Sequence, residues 1–219
     1  PFYNLADAVY QTGRTLTDEQ KHIAYFWDDN AFVMNVAGHV SYASKKMTPG
    51  GHWLHIATTV ARMKKADFPK TVETYALTSF ALSDGFISCW DEKYRSNRVR
   101  PETVINKFID PKWQPFLQTP PFPEYTSGHS VISAAAAEVL THQFGDNVAF
   151  TDSTEHPYGH GVRSFTSFRQ AAQEASMSRF YGGIHFLDAL EIGNRQGRQL
   201  GEYVVTKLKS KKEPVVAAN

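Results

Sequence analysis

The chain has 219 residues, of which 42% are hydrophobic, 21% charged and 13% aromatic. That composition excludes a disordered chain, a coiled coil and a disulfide miniprotein, and the length suffices for one good-sized core or two small domains sharing one. Lys plus Arg number 23 and Asp plus Glu 22, a net charge of +1, so a whole-chain basic field for nucleic acid is absent.

The chain opens at Pro1, with neither Met nor signal peptide. Either a leader has been removed or these residues are the C-terminal part of a longer protein. Thr17 with Gln20 forms a capping box for a helix from Asp18 to about Asp28. A Pro49-Gly50-Gly51 turn opens a second helix, His52 to Lys65. Asp67 to Pro69 start the longest pattern, Lys70 to Arg98, which Pro101 ends or kinks. Cys89 within it is alone, so no internal disulfide forms. A short helix is expected from Glu102 to Ile109. Five prolines between Pro111 and Glu124 argue for a rigid non-helical loop. Thr126 or Ser127 caps the next helix, which runs to about Gln143 with Gly145 as its stop. Its apolar stretch, Val131 to Leu140, is interrupted by Glu138 and is too short to span a bilayer.

Asp146 to Ser164 reads as a long surface loop. Ser167 with Gln170 makes another capping box, for a helix to about Tyr181. Gly182-Gly183 breaks that helix, and a last one runs from Phe186 to Lys209 before a loose tail, Ser210 to Asn219. Strand alternation, a GxGxxG, a P-loop and internal repeats are missing. The expected fold class is therefore all-α, a helical bundle.

Three constellations carry chemistry. Lys93 and Arg100 are seven residues apart, about two helical turns, so one helix face presents both cations about 10 Å apart, with Trp90 and Asn97 beside them. Both side chains can reach one anion, although a solvated basic helix end reads the same way. Ser127-Gly128-His129 stands at a helix start, where free N–H groups, a hydroxyl and an imidazole suit an oxyanion and a proton transfer. An ordinary N-cap followed by a packed His is the plain alternative. Ser178-Arg179, five residues and His185 put a guanidinium and an imidazole on one corner. At about 5% per residue type, three such patterns in one chain arise by chance on the order of 1 in 100,000. Together they describe a site for a tetrahedral oxyanion, one His being ligand or nucleophile and the other acid or base.

In that order, Lys-x6-Arg-Pro, Ser-Gly-His and Ser-Arg-x5-His resemble the superfamily joining type 2 phosphatidic acid phosphatases, bacterial acid phosphatases and vanadium-dependent haloperoxidases. The stretches Ser178 to Phe186 (SRFYGGIHF) and Gly193 to Gly197 (GNRQG), with Cys89-Trp90-Asp91 and Phe122, are similar to the bacterial haloperoxidase branch, the vanadium-dependent iodoperoxidases in particular. Two positions depart from the pattern. Thr126 stands where the family often has Pro, and Ala189 where it places an Asp four residues after the last His. A backbone carbonyl or Asp188 is then left to orient His185.

The resemblance implies a helical bundle of the haloperoxidase and acid phosphatase type, residues 1–219 forming one such domain from the C-terminal part of a longer chain. It implies a vanadate cofactor with His185 as the ligand to vanadium. Lys93, Arg100, Ser127, Gly128 and Arg179 would hold its oxygens. His129 would be the acid/base group, and Lys93 would polarise the bound peroxide. Trp90 and Phe122 would line the halide approach, with iodide the preferred halide; packing in the core is the alternative for both rings. Hydrogen peroxide and halide are the implied substrates, with an organic acceptor beyond them. Nucleic acid and a membrane span are not expected. An N-terminal portion of the same protein would pack on this one, and the location would be secreted or periplasmic.

The competing enzyme is an acid phosphatase, a phosphomonoesterase in which His185 carries the phosphoryl group and His129 protonates the leaving group. A zinc site at His52 and His55, or at His156 and His160, lacks an HExxH or a thiolate cluster. A non-catalytic helical module keeping an old anion pocket has only Ala189 in its favour.

Overall fold

The computed structural model describes residues 2–30, 34–43 and 46–208. Among them are eight α-helices, one 3-10 turn and two short antiparallel hairpins. The helices are α1 (Phe2–Arg14), α2 (Asp18–Phe26), α3 (Pro49–Met63), α4 (Phe68–Ser96), α5 (Pro101–Phe108), α6 (Gly128–Phe144), α7 (Phe168–Tyr181) and α8 (Leu187–Lys207). The expected bundle is present. The hairpins, β1 (Met34–Ala37) with β2 (Val40–Ala43) and β3 (Phe150–Asp152) with β4 (Arg163–Phe165), correct the strand-free reading. Their strands are three or four residues long, too short for alternation to show.

Local chemistry sets the helix ends. Thr17 and Gln20 form the reciprocal capping box, Asp67 caps α4 and Ser127 caps α6. Ser167 caps α7, but Gln170 reaches back to the N–H and hydroxyl of Thr166 rather than to Ser167. α4 ends on Asn97 in the left-handed conformation, φ 46°, so it stops short of Arg98. Pro101 then opens α5 at its first position, where its missing N–H is harmless.

α6 lies at the centre, against α4, α7 and α8. It is buried on nearly every side, which its Ala134–Ala137 run permits by letting neighbours approach closely. α8 answers with glycines. A Cβ on Gly197 would stand 2.1 Å from the Val131 carbonyl oxygen, and one on Gly201 2.7 Å from that of Ala135. The two backbones are therefore in contact without intervening side chains. Trp27, Trp53, Ile56 and Phe168 fill the core on the other side, and the Trp53 ring donates to Ser133 Oγ of α6 at 2.8 Å.

The stretch 146–164 is more than a surface loop. Phe150 enters the core beside Phe165, which follows the stretch, and Asp152, Thr154 and Glu155 are buried. The tail 210–219, expected to be loose, lies outside the described residues.

Candidate active site

A cavity of about 530 Å³ opens where the α2–β1 turn, α4, the proline loop, the start of α6 and the α7–α8 corner meet. Gly128, His129, Arg179 and His185 line it, with Trp90 and Phe122 from the aromatic side. The last two residues of the second and third motifs thus come together although nearly sixty positions separate Gly128 from His185, while Lys93 and Arg100 of the first stand outside the lining.

His185 is held at both ring nitrogens. Its Nδ1–H donates to Glu124 Oε1 at 2.8 Å, and Nε2 lies 3.0 Å from Arg100 Nη1. Glu124 Oε1 also accepts the Phe186 N–H at 3.0 Å, and Oε2 pairs with Arg98 Nε at 2.9 Å. Burial, then the cations Arg100, Lys93 and Arg179, push His185 well below the ordinary histidine value. Its Nε2 is thus an unprotonated donor atom at the cavity. Burial pushes Glu124 up to about 7, against the pull of Arg98, the Phe186 N–H, Arg100 and Lys93. The sequence pattern points to position 189 for this carboxylate and does not reveal Glu124. It comes instead from the proline loop, 61 residues before His185. Asp188 does not orient His185: it makes a two-pronged pair with Arg98 at 2.8 and 2.5 Å. The Ala189 carbonyl instead accepts from the Ser127 N–H at 3.2 Å.

Arg100 is not on the face of α4 as the spacing implied, since the helix has already ended. It is the N-cap residue of α5, and its guanidinium turns back to donate to the carbonyls of Phe122 (3.0 Å) and Ile184 (2.8 Å). Lys93 is wholly buried rather than on a solvated face. Its ammonium donates to the carbonyls of Pro123 (3.0 Å), Glu124 (2.9 Å) and Thr126 (2.5 Å). It stands below the loop, 5.5 Å from the Trp90 ring and 5.4 Å from that of Phe122. Burial lowers it to about 8.

Ser127 Oγ accepts from the Ser130 N–H at 3.4 Å, which leaves its own O–H to donate. The first-turn N–H groups of Gly128 and His129 have no acceptor within the helix. Arg179 donates through Nη1 to the Trp27 carbonyl at 2.8 Å, and its buried Nε has no partner among the described residues. His129 Nε2 stands 3.5 Å from Asp29 Oδ2 and makes no well-formed hydrogen bond. Burial, reinforced by Arg179, lowers His129 in spite of Asp29. Trp90 and Phe122 pack with centroids 5.0 Å apart. They are half-buried cavity wall rather than closed core.

Asp29 leads to a second group the motifs did not reveal. Asp29, His52 and Glu155 bring potential metal-donor atoms within 4.8 Å of one another. Both His52 nitrogens, however, are already engaged by carboxylates, at 2.8 Å by Asp29 and 2.7 Å by Asp152. His55 is turned to Thr154 Oγ1 at 2.8 Å, so the two histidines do not share a zinc. His156 is exposed on the 3-10 turn, and the His160 ring stacks over Tyr25.

The residues present fit an oxyanion that carries a metal: the Arg179 guanidinium with an unpartnered buried Nε, helix N-terminal N–H groups and the unprotonated His185 Nε2 line or adjoin the cavity, and the Arg100 guanidinium stands behind His185 at 3.0 Å.

Comparison with known proteins agrees. Residues 107–213 match the model of the VCPO second helical-bundle domain. The crystal structure of the first bacterial vanadium-dependent iodoperoxidase superposes with a TM-score of 0.88 and 55% identity, over 95% of this chain and 50% of that one. A holo-type bacterial vanadium-dependent chloroperoxidase gives 0.71 and 18% identity over 93% of this chain and 46% of that one, a likeness of fold. No curated protein matches the sequence. The chain spans about half the length of these solved relatives. In its motifs, its fold and the match of residues 107–213 to a second helical-bundle domain, the chain is similar to the vanadium-dependent haloperoxidases.

Proposed function

We propose that this chain carries the vanadate site of a haloperoxidase that oxidises halide with hydrogen peroxide to hypohalous acid, iodide being the preferred halide. The observation that carries the reading is His185. With Nδ1–H committed to Glu124, Nε2 is the unprotonated nitrogen; it accepts from Arg100 Nη1, which must turn onto a bound oxygen for Nε2 to hold a metal at the cavity that Arg179 lines. An unprotonated Nε2 is what a histidine ligand needs, with its tautomer set from behind.

Vanadate, when bound, supplies a Lewis acid that activates peroxide without a change in its own oxidation state. His185 Nε2 would hold the metal. Arg100, Arg179, the Ser127 hydroxyl and the Gly128 N–H would hold its oxygens. His129 has Nε2 toward Asp29, so Nδ1 is the atom at which it gives or takes a proton. Lys93 contributes its charge from beneath the loop. For it to touch a bound oxygen, it must release one of its three carbonyls. Trp90 and Phe122 exclude water and offer an aromatic wall to a large, weakly hydrated anion.

The proposal extends to the rest of the protein. An N-terminal portion would cover part of this chain, and the outer face of α4 is ready for it, with Phe68, Val72, Phe80, Ile87 and Tyr94 exposed. Secretion or a periplasmic location, and an organic acceptor for the hypohalous acid, complete the reading.

The test is the full-length protein loaded with vanadate and assayed with peroxide against iodide, bromide and chloride. A parallel assay uses a phosphate ester without vanadate. Iodide oxidation is expected. Ester hydrolysis without halide oxidation would reverse the assignment toward a phosphatase with His185 as nucleophile.

A further inference from the structure

Behind His129 runs a buried chain of polar groups that the oxyanion site does not use. His129 Nε2 faces Asp29 Oδ2 at 3.5 Å; Asp29 Oδ1 meets His52 Nδ1 at 2.8 Å; His52 Nε2 meets Asp152 Oδ2 at 2.7 Å. On the far side, Thr154 donates to Asp152 Oδ1 through its N–H at 2.9 Å and its hydroxyl at 2.6 Å. That leaves the Thr154 oxygen to accept from the Nδ1–H of half-buried His55 at 2.8 Å. The chain thus links the cavity to the outer surface of α3.

His52 is the pivot. It is fully buried, stacked on Trp27 at 4.5 Å and 13° and edge-on to Phe26. A carboxylate only accepts, so a ring facing one at each nitrogen must donate at both, which makes it an imidazolium. The same arrangement gives two buried carboxylates the counter-charge they require. Asp29 itself sits at φ +49°, a left-handed backbone that a non-glycine residue keeps only when its surroundings hold it there. The ionisable groups around His52 are Asp29 from the turn after α2, Asp152 from β3 and Glu155 at the N-cap of the 3-10 turn. Beyond Asp29 stand His129 of α6 and the Arg179–Asp28 pair.

We propose that His52 is a positioning residue for this site: its imidazolium, held at both ring nitrogens, fixes Asp29 against His129, while Asp152 and Thr154 hold its outer side. The inference rests on His129 exchanging protons at the site.

Two variants of the full-length protein test it. His52→Phe keeps the stack on Trp27 and removes both N–H donors. Asp152→Asn keeps the volume and weakens the outer hold. Nitrogen NMR of the histidine rings should show both His52 nitrogens protonated through the neutral range, and the His129 titration midpoint should move in both variants. Iodide turnover should fall about tenfold or more, as for partners behind metal ligands, with its pH profile displaced and vanadate retention changed far less. A neutral His52 tautomer at neutral pH overturns the proposal. So does an unmoved His129 midpoint in folded Asp152→Asn protein. Should His52→Phe fail to fold, the wild-type ring signals and Asp152→Asn decide. Wild-type protein that turns over no halide removes the haloperoxidase reading alone, because the ring signals are read without turnover.

Discussion

The two sides of the cavity hold buried histidines in opposite states. His185, on the basic side, shares one carboxylate with Arg98 and stands among Arg100, Lys93 and Arg179; it is pushed well below the ordinary histidine value. On the acidic side burial pushes His52 down as well, but Asp29 and Asp152 outweigh it and raise the group to about 10. Burial acts in the same direction on both, so the neighbouring charges decide. A lone pair is kept on one side and an imidazolium on the other, within a chain whose net charge is only +1.

The sharpest way to break the basic side is to remove its imidazole. His185→Ala is expected to reduce vanadate retention by at least the factor of about 10–100 seen for the partners of metal ligands. Ultrafiltration followed by vanadium analysis measures it. Glu124→Ala should fall within that range and also take the Nε partner from Arg98, which keeps its pair with Asp188. Unchanged retention in both variants would remove His185 as the ligand.

A structural change can reach the basic side without touching a polar group. His185 enters α8, and α8 rests on α6 through Gly197, where a Cβ has 2.1 Å to the Val131 carbonyl. Gly197→Ala should cost about 1–3 kcal/mol as overpacking. In a domain of this size each kcal/mol is worth roughly 2–4 °C in Tm. Calorimetry should find that loss, with the His52 ring signals unmoved because α8 packs on α4, α6 and α7 rather than on α3 or β3. A shift at His52 would mean that the two sides are coupled through the bundle.

The acidic side should declare itself in the pH dependence of stability. A histidine raised to about 10 contributes stability that is complete below the ordinary value near 6.5 and disappears as pH rises through about 10. Asp29, held well below its ordinary value, adds stability above that value that is lost in acid. Lys93 acts the other way: burial lowers it to about 8, so its penalty fades as pH rises from there toward 10.5. The useful quantity is therefore the Tm gap between wild type and His52→Phe. It should be widest below about pH 6.5 and narrow toward pH 10. A gap independent of pH would mean that His52 is neutral.

What could be read in sequence follows from range. Caps and breaks depend on a few adjacent residues, and Thr17–Gln20, Asp67, Ser127 and Ser167 all act where their spacing placed them. The motif residues of the site were legible because each constellation is short. Arg100 was misplaced because a helical period was extended through Asn97, whose left-handed turn spacing does not reveal. Glu124 and the chain Asp29–His52–Asp152 were invisible because they are assembled from segments 23 to 123 residues apart. A buried carboxylate in a proline loop resembles any exposed one until the fold closes over it.

The smallest effect separates Glu124 from Asp188. By position, Asp188 was the natural carboxylate for His185, three residues on. In the structure its carboxylate is half-exposed and paired with Arg98, whose Nε it leaves to Glu124. Exposed pairs contribute about 0–1 kcal/mol. Asp188→Asn should therefore lower Tm by no more than a few degrees and leave vanadate retention where it was. Arg98 keeps Glu124, and Glu124 keeps the Nδ1–H of His185. Loss of retention in Asp188→Asn comparable to that in Glu124→Ala would show that the orientation of the ligand depends on the outer pair, and that the basic side is held from the surface inward.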